Sequence, residues 1–335
     1  MDITKNKATL KTVAKELKIS VSTVSRAFTQ PDSVKPATLA MIRETSRKLN
    51  YKPNLNARAL VQQKTHVIAV ILQSLKNQTT ETLINKLTKL LSLRGYDIHL
   101  FVTYSDNQLN NDAINSVLCR GYDGVIINHG AFEGKMEAIE TLIKEQIPFV
   151  VLGQYDYSTV SQVIGDFKLA GRVITKYLIE LGHKNIAFAT TCNGDPRYEG
   201  YVNMLNQHGL PVREDMVFTC QCTQDDIYEV AKKISKTNTT ALFANFDELA
   251  TRFIRAFKEI GMSIPQQISV VGVGNEMYSD LISPPLTTFE IDTAHLAENL
   301  VECLFERIEK PNSPTRTILL NGSLIAREST IELKD

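Results

Sequence analysis

From residue 67 onward, short apolar runs alternate with stretches whose apolar residues recur at helical spacing. The apolar runs predict strands at residues 67–72, 97–102, 123–128, 147–152, 185–190, 240–245 and 268–273. Amphipathic stretches lie between them, such as the one through Leu249, Phe253 and Phe257. Repeated strand–helix alternation predicts a parallel sheet covered by helices on both faces. Residues 67–151 hold roughly four such units and a second series begins near Asn185, so we predict two open α/β lobes.

The bulk composition places the chain among globular proteins of more than one domain. It has 335 residues, of which 43% are hydrophobic and 22% charged. No apolar run approaches the roughly 20 residues that span a bilayer, and residues 1–5 lack the apolar core of a signal peptide. We therefore expect no membrane association and a cytoplasmic location.

The five cysteines do not form a recognisable framework. Their number is odd and their spacing scattered, which argues against disulfides. Cys220 and Cys222 form one close pair, but no further Cys or His follows at the spacing of a zinc site. We expect ordinary, mostly buried thiols, no metal and no cofactor.

Sequence motifs of common enzymes are absent. There is no Gly-x-Ser-x-Gly elbow, no Gly-x-x-x-x-Gly-Lys phosphate loop and no His-Glu-x-x-His pair. A catalytic pair of carboxylates between the two lobes would support an enzyme, and only Asp247 and Asp166 qualify for it. Asp166 is better placed to cap the helix that follows it. We expect a non-enzyme, with a carbohydrate-modifying enzyme or a plain carbohydrate-binding module as the alternatives.

The charge of the chain is unevenly distributed. Residues 1–64 hold 13 Lys and Arg against 4 Asp and Glu, whereas the remainder holds 24 basic and 33 acidic residues. A small basic segment on a larger acidic body predicts that the segment contacts a polyanion.

Three short helical stripes follow one another in this basic segment. Leu10, Val13, Ala14 and Leu17 form the first, with Thr9 as its N-cap. Ser20 is placed to cap a second helix, whose inward residues are Val24, Ala27 and Phe28, and a third stripe covers residues 38–49. Three helices with a tight turn between the first two predict a helix-turn-helix unit.

The second helix of such a unit enters the major groove of DNA. Its outer face carries Val21, Ser22, Ser25 and Arg26, and an arginine can make a bidentate contact to guanine. We expect Lys11, Asn50 and Tyr51 to contact phosphates, which position the domain without specifying sequence.

Four stretches of this segment, at characteristic spacing, point to a particular family of DNA-binding proteins. They are Thr9–Ala14, Val21–Arg26, Leu49–Asn54 and Ala57–Leu60. In this order they resemble the N-terminus of the lactose-repressor (LacI/GalR) family of bacterial transcription regulators. The resemblance implies a helix-turn-helix domain at 1–53, a hinge helix and linker at 54–65, and an effector-binding domain at 66–335.

The resemblance assigns the hinge a role on DNA. Two hinge helices of a dimer insert into the minor groove, with Leu60 as the wedge that bends the duplex and Arg58 beside it. An isolated helix this short is marginal in water, which fits a segment that folds on DNA. Family members often carry a basic residue after the leucine, and this chain has Val61 and Gln62.

The large domain resembles the same family and, more distantly, periplasmic sugar-binding proteins. Its matching stretches are Gly121–Ile126, Ile147–Val151, Leu181–Ala187, Ile268–Gly272, Pro284–Thr288 and Ala326–Thr330. The resemblance implies an effector in the cleft between the lobes, beyond the carboxyl ends of the strands, and last strands that cross back between the lobes.

Arg197 corresponds to the family's effector-contacting arginine. Its guanidinium can donate hydrogen bonds to two hydroxyl groups or bind a carboxylate or phosphate. The other candidate effector contacts are polar or aromatic residues that follow strand ends, namely Gln73, Ser74, Asn245, Phe246, Asp247 and Asn275. Family members usually have Asp at the positions of Gly274 and Asn275, so the ligand need not be a plain hexose. Lys76 together with Arg197 would tolerate a phosphate.

We therefore hypothesise a homodimer that binds a pseudo-palindromic operator. Its DNA binding is controlled by a small molecule, most simply a sugar or sugar phosphate. The effector shifts the dimer between two geometries and either melts or supports the hinge. Repression with induction and a corepressor-dependent or activating regulator both remain open on the sequence.

Overall fold

The computed structural model of the chain describes residues 8–52, 64–75, 78–104, 106–128, 136–153 and 159–333. The chain divides into two compact units, Met1–Val67 with Leu118–Asp123 and Ile68–Val117 with Gly124–Asp335. The domain limits predicted at residues 53 and 65 stay predictions, because residues 53–63 lie outside the described part.

The first unit contains the three predicted helices, α1 (Leu10–Leu17), α2 (Val21–Thr29) and α3 (Pro36–Lys48). Both predicted N-caps are confirmed, since the Thr9 hydroxyl accepts the Thr12 N–H and the Ser20 hydroxyl accepts the Thr23 N–H at 3.1 Å. Lys18 ends α1 in the left-handed region, with φ of 55°, and this closes the tight turn into α2.

These helices meet in a small core. Its buried members are Val13, Ala14, Val24, Ala27 and Ile42. Phe28 packs at the edge of this core, with its ring 5.6 Å from that of Tyr51. The inward face predicted for α2 is therefore confirmed.

The second unit has two lobes, each built on a six-stranded sheet. The strands of the first lobe are β1 (Val67–Leu72), β2 (Asp97–Val102), β3 (Gly124–Asn128), β4 (Phe149–Leu152), β5 (Gln162–Gly165) and β11 (Thr317–Leu320). Their order is β11-β5-β4-β3-β1-β2. Its helices are α4 (Gln78–Leu93), α5 (Asn107–Arg120), α6 (Met136–Lys144) and α11 (Thr293–Glu309).

The strands of the second lobe are β6 (Ile186–Thr190), β7 (Val217–Thr219), β8 (Ala241–Ala244), β9 (Ser269–Val273), β10 (Thr287–Ile291) and β12 (Gly322–Ile325). Their order is β12-β10-β9-β8-β6-β7, and β12 runs antiparallel to β10. Its helices are α7 (Phe167–Glu180), α8 (Pro196–Gln207), α9 (Gln224–Ser235) and α10 (Asp247–Glu259).

The chain crosses between the lobes three times. It leaves the first lobe after β5, returns after β10 to form α11, and crosses again between β11 and β12. Leu296 and Leu300 of α11 pack with Ile68 and Val70 of β1 in the core of the first lobe. The predicted return of the last strands is therefore confirmed, and three connections join the two lobes.

Local contacts also fix the C-terminal segment. His183 is fully buried before β6; its Nε2–H donates to the Ile331 carbonyl at 3.1 Å, and its Nδ1 accepts the Thr240 hydroxyl at 3.0 Å. Burial lowers the pKa of His183, although the bond to Ile331 opposes this shift. The neutral ring is therefore part of the folded structure.

This buried imidazole predicts a pH dependence. Below its ordinary pKa of 6.5, the unfolded chain binds a proton that the folded chain does not, so the free energy of unfolding falls as the pH is lowered. Between about pH 6.5 and 5.5, the wild-type protein is expected to lose up to about 1 kcal/mol more than a His183→Gln variant. Urea unfolding at several pH values measures this difference, and parallel pH profiles would contradict it.

Candidate functional site

The outer face of α2 presents the residues predicted to read DNA. Val21 is 41% exposed, Ser22 and Arg26 are exposed, and Ser25 is half-buried. Their spacing of one, three and four residues places them on one side of the helix, away from Val24 and Ala27. The Ser22 hydroxyl lies 2.8 Å from that of Ser20, so the capping residue also orients it.

The predicted phosphate contacts have different surroundings. Lys11 is exposed on α1, and Asn50 is exposed after α3 in the left-handed region, with φ of 50°. Tyr51 is half-buried against Phe28, and this burial raises the pKa of its phenol. The ring of Tyr51 thus serves the core, while its phosphate contact stays a prediction. Arg58 and Leu60 lie outside the described residues.

In the second unit, Arg197 lies in the first turn of α8, directly beyond β6. Its side chain is 14% exposed, and its guanidinium carbon lies 4.1 Å from the centre of the Phe167 ring. Phe167 is the first residue of α7, which Asp166 caps as predicted by accepting the Leu169 N–H at 2.7 Å. The ends of two helices therefore hold this guanidinium.

Asp195 joins Arg197 to Asn245. Its Oδ1 accepts the backbone N–H and a guanidinium N–H of Arg197, both at 2.9 Å. Its Oδ2 accepts the Thr190 hydroxyl at 3.0 Å and the Asn245 amide at 2.9 Å. Burial opposes ionisation, but the charge and hydrogen bonds of Arg197 and the Asn245 amide outweigh it and lower the pKa of Asp195.

Two buried polar atoms of this cluster have no hydrogen-bond partner within the described residues. They are Nε of Arg197, a donor, and Oδ1 of Asn245, an acceptor. Buried polar atoms without partners are uncommon in folded proteins and costly where they occur. A donor and an acceptor left open in one cluster are what a small hydroxyl-bearing molecule requires.

Asp247 occupies a second cluster. It is fully buried, and its carboxylate accepts the Thr288 and Ser279 hydroxyls, each at 2.6 Å, and the Glu276 N–H at 3.0 Å. In the structure this carboxylate fixes the loop after β9. Its direct contact with an effector stays a prediction.

The remaining predicted contacts are spread along strand ends. Asn275 accepts a guanidinium N–H of Arg327 at 2.7 Å, and its N–H donates to the Thr288 hydroxyl. Phe246 is half-buried against the core beside α10. Gln73 and Ser74 follow β1 of the other lobe. The structure thus brings Arg197 and Asn245 together, and separately Asp247 and Asn275.

The two lobes touch where α4 begins. Glu276 of the second lobe accepts the Gln78 N–H at 3.0 Å and the Thr79 hydroxyl at 2.8 Å. The Met277 N–H in turn donates to the Gln78 side chain. A carboxylate at a helix N-terminus is favourable because it meets unpaired N–H groups and the positive end of the helix dipole. Glu276 therefore bridges the lobes in this conformation.

Sequence reasoning missed Thr190, Phe167, Asp195 and Glu276. Asp195 carried a usable signal, since an Asp directly before a Pro, here Pro196 in the loop after a predicted strand, is typical of a helix N-cap. Phe167 and Glu276 carried none, because their partners are distant in sequence.

Two family models match the chain. Residues 9–54 match the model described as bacterial regulatory proteins, lacI family, and residues 175–330 match the periplasmic binding protein-like domain. The chain belongs to the lacI family of bacterial regulatory proteins. It is a DNA-binding transcriptional regulator, with the helix-turn-helix helices and the two-lobed α/β domain of that family.

Curated lacI-family relatives match almost the whole chain. The HTH-type transcriptional repressor PurR of Pasteurella multocida is 29% identical over 96% of this chain and 98% of its own length. Catabolite control protein A of Priestia megaterium is 27% identical over 96% of this chain and 99% of its own length.

Solved structures share the fold. The lac repressor dimer bound to operator and the anti-inducer ONPF has a TM-score of 0.85 at 22% identity, covering 97% of this chain and 100% of that one. A lacI-family regulator from Enterococcus faecium with bound ribose has a TM-score of 0.70 at 27% identity, covering 80% of this chain and 100% of that one.

The thiols of this lacI-family chain are free, and Cys119 and Cys192 are exposed. Cys222 is half-buried, and only Cys220 and Cys303 are buried, so the expectation of mostly buried thiols is wrong. Cys119 lies in the last turn of α5 and Cys192 in the turn after β6, where side chains meet solvent. Burial raises the pKa of Cys220 to about 12.

The described residues contain no cluster of His, Cys, Asp and Glu suited to a metal ion. None of the described helices is long and apolar enough to cross a bilayer.

Proposed function

We propose that the chain is a cytoplasmic, homodimeric repressor whose DNA binding is controlled by a small polyhydroxylated effector of the sugar class. The cluster of Arg197, Asp195 and Asn245 carries this proposal. It lies beyond the carboxyl end of β6 and β8, where open α/β folds bind ligands. Its open donor and acceptor suit a hydroxyl group.

The contact between the lobes supports control by closure. Glu276 reaches α4 across the cleft, and the three interlobe connections supply a hinge. An effector that contacts both lobes favours the closed arrangement and shifts the population toward it. The relative from Enterococcus faecium with bound ribose supports a sugar as the class of effector.

Exposed apolar side chains support the homodimer. Leu75 and Tyr104 are exposed, and the Tyr104 N–H donates to the carbonyl of Gln73, two residues before Leu75. Met277 and Leu281 are exposed on the loop that contacts Gln78. Large exposed apolar side chains are candidates for a protein interface, and a second copy would pair two helix-turn-helix units on a pseudo-palindrome.

The experiment that tests the proposal combines DNA binding with an effector panel. Operator sequences are selected from random duplexes with the full-length protein, and their affinity is then measured with free sugars, sugar phosphates, nucleosides and purine bases. We expect a pseudo-palindromic sequence whose affinity changes in the presence of one ligand class. Selection of no sequence would overturn the DNA-binding part, and an affinity indifferent to every ligand would overturn the effector part.

Arg26 offers a sharper test of the DNA contact. Arg26→Ala is expected to weaken binding to the selected operator by about 1–3 kcal/mol and to relax the preference at one base pair. Lys11→Ala is the control, because losing a phosphate contact weakens all sequences alike and reduces the salt slope by about 1. Anisotropy titrations on operators with single base changes measure both. A uniform loss for Arg26→Ala would show that it contacts phosphate only.

A further inference from the structure

The guanidinium of Arg197 is already paired with a carboxylate of the protein itself, that of Asp195. Asp195 pairs with it at 2.9 Å, and the carboxylate side chain is only 1% exposed. An ion pair removed from water is screened weakly, so each charge strongly offsets the other. To a ligand, the pair offers hydrogen-bonding groups without a net charge.

Asp195 is held in this place from every side. Its four hydrogen bonds come from two N–H groups of Arg197, the Thr190 hydroxyl and the Asn245 amide. These occupy both carboxylate oxygens, so Asp195 has little capacity left for a ligand hydroxyl. These hydrogen bonds fix Arg197, and the charge of Asp195 offsets that of the guanidinium.

The two open atoms discriminate between ligand classes. The hydroxyl groups of a ligand can both accept from Nε of Arg197 and donate to Oδ1 of Asn245, because a hydroxyl is donor and acceptor at once. A fully ionised phosphate or carboxylate can only accept, so it leaves Oδ1 of Asn245 unpaired. It also meets the negative charge of Asp195, whose Oδ1 lies 2.9 Å from a guanidinium nitrogen.

We propose that Asp195 is the residue that makes this site select an uncharged, hydroxyl-bearing effector and reject its phosphorylated counterpart. The inference rests on the proposed function, in that it takes Arg197 as an effector contact. It narrows the sugar class to free sugars and related polyols. It also explains why an arginine, which elsewhere binds anions, does not make this a phosphate site.

The test is the substitution Asp195→Asn, which keeps the shape of the side chain and removes its charge. The probe is inorganic phosphate, added to the full-length protein in a chloride buffer of matched ionic strength. Phosphate is expected to raise the melting temperature of Asp195→Asn and to bind it at least about tenfold more tightly than wild type, because the guanidinium charge is then uncompensated. The gain should vanish in Asp195→Asn combined with Arg197→Ala.

Asp215→Asn is the matched control. Asp215 also pairs with an arginine two residues away, Arg213, but this pair is exposed. Removing its charge should leave the phosphate response as in wild type. Matched pairs, ribose with ribose 5-phosphate and glucose with glucose 6-phosphate, extend the comparison to sugars.

Each outcome decides the inference. Equal phosphate affinity in wild type and Asp195→Asn, or no phosphate binding by either, would overturn it. A gain that survives loss of Arg197 would place the anion elsewhere and would overturn it as well. Because inorganic phosphate probes the charge of the site directly, this result is independent of whether any effector alters operator binding, which tests the proposed function.

Discussion

Replacing Gly200 by alanine is expected to destabilise the second lobe by about 3 kcal/mol, at the upper end of the cost of overpacking. Helices α7 and α8 touch through their backbones at Gly171 and Gly200. A Cβ atom on Gly200 would lie under 3.0 Å from the Lys168 carbonyl, the Arg172 nitrogen and the Gly171 Cα. Backbone atoms cannot turn away as a side chain does, so the two helices must separate.

The same substitution is expected to weaken the effector response. Phe167 begins α7 and Arg197 begins α8, so the gap between these helices sets the distance between the ring and the guanidinium. Gly171→Ala should behave alike, because its Cβ would lie under 3.0 Å from the Arg197 carbonyl. Urea unfolding followed by circular dichroism measures the stability, since the chain has no tryptophan to report it by fluorescence.

Glu199→Ala is the control for both glycines. It removes the exposed ion pair between Lys168 and Glu199, which joins the same two helices, without adding an atom between their backbones. An exposed pair of this kind contributes roughly 0–1 kcal/mol. If Gly200→Ala were no more destabilising than Glu199→Ala, close backbone packing would not be what positions Arg197.

Replacing Asp247 by alanine is expected to cost about 3–5 kcal/mol, because three donors lose a charged acceptor in the interior. The Ser279 and Thr288 hydroxyls and the Glu276 N–H all end on this carboxylate. Gly272 packs against it so closely that a Cβ there would lie under 3.0 Å from Oδ1. The loop after β9 should loosen, and with it the bridge from Glu276 to α4.

Two comparisons make this measurable. Asp247→Asn keeps the volume and part of the hydrogen bonding, so it should be less damaging than alanine. Glu248→Ala changes the next carboxylate along α10, which is exposed and paired with Arg252 on the same helix, and should have little effect. Hydrogen exchange of residues 274–279 and of the first turn of α4 should rise in Asp247→Ala alone. Unchanged exchange would show that other contacts hold the loop.

The features that the sequence predicted correctly depend mostly on residues close to one another in the chain. The caps at Thr9, Ser20 and Asp166 depend on residues within three positions, so the local sequence is enough to assign them. Strand β1 is wholly apolar and β2 is mostly apolar, and their predicted limits at 67–72 and 97–102 coincide with the structure. The alternation of strands and helices supplied the two-lobed architecture, and the family resemblance supplied Arg197.

Short or late strands escaped prediction. β5, β7, β10, β11 and β12 have three to five residues each and are interrupted by polar residues or Gly. β4 and β8 are equally short, but they are wholly apolar and were predicted. β11 and β12 follow one another in the chain yet join different sheets. Nothing within such a segment encodes which sheet it joins, because its pairing partner lies far along the chain.

The chemistry of the site was decided by tertiary structure. By itself, the sequence determined which side chains lie at strand ends and helix starts, since these depend on neighbouring residues. It did not show that Asp195 meets Asn245, 50 residues away, or that Glu276 meets Gln78, 198 residues away. Hydrogen bonds and ion pairs of this kind form only after the sheets bring remote loops to one edge, and so only the fold determined the charge and closure of the cleft.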